Sequence, residues 1–389
     1  MDELELRYGL NPHQRPARLY VPEGKLPLRV VNGKPGYVNL LDALNSWQLV
    51  RELAELTGLP AAASFKHVSP AGAAVAAPLS EELAASCAAG KLELSPLATA
   101  YVRARGADRM ASFGDWVALS ERVDEPTARV LAREVSDGCV APGYDEKALE
   151  TLRRKKDGAY PLLEMDPGYR PAETETKQVF GLFLEQRRND AVIGPELLSR
   201  IVTKKKEIPA DVRTDMLIAT LVLKYTQSNS VCVAYDRQVI GVGAGQQSRI
   251  HCTRLACTKA DRWFLRMHPK VLGLDFRKGV SRSSRATAID LYLEEDVTEA
   301  EAAAWQESFN KVPEPLSAEE KAEWLGRFDR ACLSSDGFIP FRDNIDRAAK
   351  SGVRYVVQPG GSTRDEAIIR AADEYGMVMA FTGLRLFHH

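Results

Sequence analysis

The sequence predicts an α/β protein made of two similar halves, and three observations point there. Helical and strand-like runs alternate along the 389 residues instead of forming separate blocks, which is the pattern of three-layer α/β domains. Ala210 to Tyr225 is a helical stretch that feeds an apolar run, Ser230 to Tyr235, much as Leu40 to Leu56 feeds Ala61 to Phe65. Gly352 to Gln358, then Pro359-Gly360 and Asp365-Glu366, echoes Gly138 to Ala141, then Pro142-Gly143 and Asp145-Glu146. A repeat of half the chain length means duplicated domains rather than a solenoid.

Taken in order, Leu6 to Tyr20 carries too many polar and turn residues for a simple strand. The spacing predicts a helix over Asn39 to Leu56, stopped by Gly58, and a buried strand over Ala61 to Phe65. Ser69 as N-cap and Pro70 at the first helical position then predict a helix through Ala73-Ala74-Val75. A strand is expected around Ala111 to Leu119, with Gly114 letting backbone approach a ligand or marking a bulge. Thr127 to Ser136 reads as a helix ending at Asp137-Gly138, Cys139 to Ala141 as a short strand, and Asp145 to Arg153 as a helix. The charged, turn-rich stretch from Arg153 to Glu175 suggests a boundary between a first domain, 1–165, and a second, 166–389. In the second, Asp236-Arg237 is a tight turn, Gln238 to Gly245 a strand, and a helix opens near Ser248. About 270–328, rich in Ala, Glu, Leu and Trp, reads as a mostly helical insertion.

Composition excludes several classes. At 45% hydrophobic and 27% charged the chain can bury proper cores, and a formal net charge of -1 gives no global attraction to nucleic acid or anionic membrane. No run approaches the roughly 18 apolar residues of a membrane span, and Met1-Asp2-Glu3-Leu4-Glu5 is no signal peptide. The expected location is therefore the cytoplasm. Six cysteines without Cys-x-x-Cys spacing fit reduced packing residues better than disulfides or a zinc site. The alternating Gly241, Gly243 and Gly245 lack a third glycine at the position a dinucleotide fingerprint needs, where Gln246 stands.

The chemistry concentrates at Ser64-Phe65-Lys66-His67-Val68-Ser69-Pro70-Ala71-Gly72. It sets an ammonium beside an imidazole at a strand end. A neutral histidine can take a proton near neutral pH while a lysine cation steadies an oxyanion, a combination suited to attack of a weak amine on a carbonyl carbon. Neighbouring strand side chains face opposite ways, so the two share a site only where the backbone leaves the pleat. An ordinary charged strand end is the other reading of the dipeptide.

Further motifs decide between them. Leu6-Arg7-Tyr8-Gly9 with Asn11-Pro12-His13-Gln14, Ser64 to Gly72, Lys224 to Ser230, Gly243 to Arg249 and Leu384 to His389 together resemble the AICAR transformylase portion of the bifunctional purine-biosynthesis proteins. The resemblance runs from about Leu6 to His389, with no counterpart of the N-terminal IMP cyclohydrolase domain, so a stand-alone transformylase is expected. It implies duplicated cytidine-deaminase-like domains and transfer of a formyl group from 10-formyltetrahydrofolate to the 5-amino group of aminoimidazole carboxamide ribonucleotide. His67 is then the base and Lys66 the oxyanion stabiliser. The same resemblance assigns the nucleotide to Arg7, Tyr8, Gly114, Asp137, Asn229, Arg249 and Arg385, and the folate to Ile250, Phe338, Asp343, Ser362 and Thr363. It implies a homodimer with sites at the interface, allows a structural potassium ion, and leaves room for a separate cyclohydrolase partner. No zinc is expected, because the deaminase ligand signature is missing.

Overall fold

A computed structural model describes residues 2–389. Its centre is an 11-stranded mixed sheet. In the N-terminal half, helix α1 (Tyr37–Thr57) leads into the hairpin β4 (Ala61–Lys66) and β5 (Ser69–Val75). Helices α2 (Glu81–Ser86) and α3 (Pro96–Gly106) follow, then β6 (Asp115–Leu119), α4 (Glu125–Arg133), β7 (Ser136–Ala141), α5 (Glu146–Arg153) and β8 (Leu162–Met165). The C-terminal half repeats that order: α6 (Ala210–Leu223), the hairpin β11 (Val231–Tyr235) and β12 (Gln238–Gly243), α7 (Arg249–Leu265), β13 (Ala331–Ser335), α12 (Asp343–Lys350), β14 (Val353–Gln358), α13 (Asp365–Glu374) and β15 (Val378–Phe381).

The sheet runs β15-β14-β13-β11-β12-β5-β4-β6-β7-β8, with β3 (Leu28–Asn32) on the outer edge. β6, β7 and β8 are parallel, as are β13, β14 and β15, while each hairpin is antiparallel to the strand beside it. The halves meet where β12 pairs antiparallel with β5 through Gln238 and Ala74. Between β13 and its preceding helix lies an excursion of four helices, α8 (Pro269–Leu272), α9 (Arg282–Leu293), α10 (Glu299–Gln306) and α11 (Ala318–Leu325), with a small core around Leu265, Tyr292 and Leu316. Two hairpins stand outside the sheet: β1 (Asp2–Leu6) with β2 (Ala17–Val21), and β9 (Thr174–Val179) with β10 (Leu182–Arg187).

Strand residues alternate between two cores, as the pleat requires. On β6, Val117 and Leu119 face the layer holding α3, α4 and α7, while Trp116 and Ala118 face the layer holding α1 and α6. Small residues let those layers close on the sheet. A Cβ on Gly72 would lie 2.1 Å from the Ala104 carbonyl oxygen, and one on Gly241 2.1 Å from that of Ala256. The alternating glycines of β12 therefore admit helix α7. All six cysteines are buried and free.

Beneath the turn that joins β4 to β5 runs a buried polar chain. Ser64 Oγ donates to Asp115 Oδ2 at 2.5 Å, and Arg105 reaches Asp115 at 3.0 Å and Glu134 at 3.2 Å. Removing one partner of such a pair strands a charge. Arg105→Ala is expected to cost about 3–5 kcal/mol, read from chemical denaturation; a loss below 1 kcal/mol would show that Asp115 does not depend on it.

Candidate active site

The expected helix after His67 is a strand. Lys66 pairs with Ser69 across the hairpin, and His67 and Val68 form its two-residue turn with φ of 53° and 60°. Two left-handed residues give the twist that matches flanking strands, although a β-branched valine adopts that conformation reluctantly. The turn is held from outside: the Val68 amide donates to Asp42 Oδ1 on α1 at 2.7 Å. The alanines and Gly72 that suggest a helix serve close packing under α3, and a register shift at Ser64/Phe65 accommodates Pro70, which has no N–H to give. Positive charge at this place thus comes from Lys66 and not from a helix N-terminus. Its Nζ donates to the Phe113 carbonyl at 2.8 Å, and His67 is exposed beside it. The pleat is broken at the dipeptide, which is the condition for the two side chains to serve one site.

Because β6 runs antiparallel to β4 and parallel to β7, the starts of β6 and β7 lie at the edge of the sheet where Lys66 ends. Gly114, at φ 83°, precedes β6, and a Cβ added there would stand 3.6 Å from Asp137 Oδ2. Asp137 lies within β7, which starts at Ser136, rather than at a helix end. It pairs with Lys156 at 2.8 Å. Ser69 Oγ accepts from the Gln227 amide at 3.3 Å, so the loop before β11 joins this edge.

That loop opens a second cluster. Arg249, at the start of α7, donates to Asn229 Oδ1 at 2.9 Å and pairs with Asp336, which is wholly buried. Asp336 also accepts from Ser228 Oγ at 2.5 Å and from the Ser230 amide and hydroxyl, each at 3.0 Å. Gly337 leaves room for the guanidinium, since a Cβ there would stand 2.6 Å from Nη2. The C-terminal tail is laced in by the Leu386 amide to the Asp336 carbonyl and by mutual bonds between Ser228 and His388.

Comparison with known proteins now decides the family. The sequence model described as AICARFT/IMPCHase bienzyme matches residues 1–259. The chain belongs to that family. It is 33% identical over 394 residues to the bifunctional purine biosynthesis protein PurH of Magnetococcus marinus, and 32% identical over 392 residues to that of Roseobacter denitrificans. In both comparisons 99% of this chain is covered but 59% of the relative. The chain spans less than two thirds of the length of these relatives.

Most residues named from sequence therefore fall at one edge of the sheet. Lys66, His67, Gly114 and Asp137 gather in the first half, and Asn229, Arg249, Ile250 and Phe338 at the ends of β11, β12 and β13. Asp343 opens α12, and with Phe341 and Arg364 it lines a groove of about 510 Å³. Ser362 and Thr363 lie in the turn after β14. Asp365, inside α13, caps that turn by accepting from the Gly361 and Ser362 amides. Arg385 is exposed and stacks on Phe387. Arg7 and Tyr8 sit apart, in the β1–β2 loop, without an ion-pair partner for Arg7 among the described residues. No group of three or more His, Cys, Asp or Glu able to hold a metal occurs among the described residues. None of their helices is long and apolar enough to cross a membrane.

Sequence reading missed Asp42, Asp336 and Lys156. Asp42 and Asp215 each stand at the sixth residue of the helix preceding a hairpin, and that shared position was the available signal. Asp215 accepts from the Asp236 and Arg237 amides at 2.9 and 2.6 Å, and burial pushes its carboxyl up to about 7. A carboxyl raised on folding contributes stability that is complete below the unfolded value and is lost as pH rises through the folded one. Asp215→Asn should therefore be at its greatest disadvantage in melting temperature near pH 4, recover towards pH 7 and change little above; a pH-independent difference would contradict the raised value.

Proposed function

We propose that the chain transfers a formyl group from 10-formyltetrahydrofolate to the 5-amino group of 5-aminoimidazole-4-carboxamide ribonucleotide. The observation that carries this reading is the left-handed turn presenting His67 beside the half-buried ammonium of Lys66, at the edge that also gathers Asn229 and Arg249. The ribonucleotide amine shares its lone pair with the imidazole ring and attacks poorly unless its proton leaves with bond formation. His67 takes that proton as the new C–N bond forms. Lys66 steadies the oxyanion on the former formyl oxygen. Collapse breaks the bond to N10 of the folate, which regains a proton as tetrahydrofolate departs.

Arg249 and Arg385 supply charge for the phosphate. The groove lined by Phe341, Asp343 and Arg364 offers a flat apolar wall and a carboxylate for the pterin's N–H groups. The oxygens of Ser228, Ser230 and Asp336 do not fit a potassium ion, because Asp336 is already paired with Arg249 and both serine hydroxyls donate to it. Each half's order of hairpin, antiparallel strand and two parallel strands fits a cytidine-deaminase-like arrangement.

Two features support a homodimer. Asp137 on β7 and Asn229 before β11 are separated by five strand spacings, roughly 24 Å along the sheet, which exceeds the reach of one nucleotide. The β9–β10 hairpin also leaves Phe180 fully exposed, with Leu182, Phe183 and Leu184 each above 60%, and a lone two-stranded hairpin is marginal in water. A partner copy covers those side chains and brings its own cluster to the opposing one. Phe183→Asp with Leu184→Asp should shift the sedimentation coefficient to that of a monomer; an unchanged dimer removes the arm from the interface.

Purified chain given both substrates should release tetrahydrofolate. His67→Ala should lower kcat by about 10²–10⁴-fold while nucleotide binding persists by calorimetry, and wild-type turnover in that variant would refute the assigned base.

A further inference from the structure

The same carboxylate device occurs once in each half, and the two copies are loaded differently. Asp42 and Asp215 hold corresponding places in α1 and α6, and each caps a two-residue left-handed turn, His67-Val68 in one half and Asp236-Arg237 in the other. In the second half the aspartate spends both oxygens on the two turn amides. The turn does no chemistry there: Asp236 is held by the buried Arg103 at 2.8 Å. In the first half one oxygen takes the Val68 amide at 2.7 Å, and the His67 amide makes no comparable bond to Asp42. Asp42 is 5% exposed. One of its oxygens is thus left without a full-strength partner, next to the residue read above as the base.

Resting on that reading, we propose that Asp42 is a positioning residue for His67: it locks the strained turn through Val68 and serves as counter-ion to the imidazolium that forms when His67 takes the amine proton. An aspartate behind a histidine base fixes the ring and stabilises its protonated state without accepting the proton itself. The groups that face Asp42 are His67 from the turn and Asp137 from β7, the latter already neutralised by Lys156. Burial, the larger influence, pushes Asp42 up to about 6, so the counter-ion is lost as pH falls through that value.

The test compares wild type, Asp42→Asn, Asp42→Ala and Asp215→Asn. Asparagine keeps an acceptor for Val68 but removes the charge; alanine removes both. Asp42→Asn is expected to lower kcat by up to about 10⁴-fold with KM for the ribonucleotide within about twofold, and the acid limb of its kcat/KM profile should lose one proton of slope. Hydrogen exchange at the Val68 amide should stay slow in Asp42→Asn and accelerate in Asp42→Ala. Asp215→Asn should lower stability and leave kcat unchanged. An active wild type with Asp42→Asn at the same kcat and slope overturns the inference alone, as does Val68 exchange indifferent to Asp42→Ala. A wild type that transfers no formyl group overturns the reading beneath it and the inference with it.

Discussion

The seam between β5 and β12 is the constraint on which the rest of the structure depends. One register pair, Gln238 opposite Ala74, joins an array of five strands to one of six, and the strength of the joint comes from Arg103. That side chain has no solvent exposure, yet every donor group finds an acceptor: the carbonyls of Ala77, Pro78 and Asp236, the Gln238 side-chain oxygen, and the Asp236 carboxylate. A buried guanidinium is tolerable only when its charge is matched and its donors satisfied. Since it springs from α3 of one half and is answered largely by the turn of the other, it fixes their relative placement.

That placement brings the proposed site residues of both halves to one edge of the sheet. With β5 and β12 antiparallel, the Ser69 end of one lies near the Gly243 end of the other. The loop from Gln227 to Asn229 can then reach Ser69, and Arg249 at the head of α7 can organise it through Asp336. At the opposite edge the corresponding turn, Asp236-Arg237, is consumed by the seam. One half thus leaves its hairpin turn open at the edge proposed for chemistry, while the other spends its own on cohesion.

Much of the architecture was legible in the sequence because periodicity and punctuation agreed with it. Helix α1 ends one residue beyond the last predicted position, at a left-handed Gly58, and the Asp236-Arg237 turn lies where its dipeptide suggested. The failure at Ser69 to Val75 is instructive. Ser-Pro-Ala-Gly-Ala-Ala-Val carries a cap, a proline suited to a first turn and strong helix formers, and local propensity favours a helix. Tertiary demand wins: the small side chains are present because the Ala104 carbonyl leaves space for nothing larger at Gly72. The same cause explains the glycines of β12. Asp42 and Asp336 escaped notice because each acts on a turn or loop distant in sequence, by 26 and 108 residues to Val68 and Ser228, and no local pattern records such a bond.

The antiparallel seam between two equivalent strands has one more implication. A chain of half this length, with the same succession of elements, would carry an unpaired outer strand where β5 or β12 now finds its mate, and bare strand edges invite self-association. Its simplest relief is to lay that edge against the identical edge of a twin, giving a two-fold dimer whose layout is the present sheet. Covalent linkage of the twins would then free each copy of the edge's machinery to diverge.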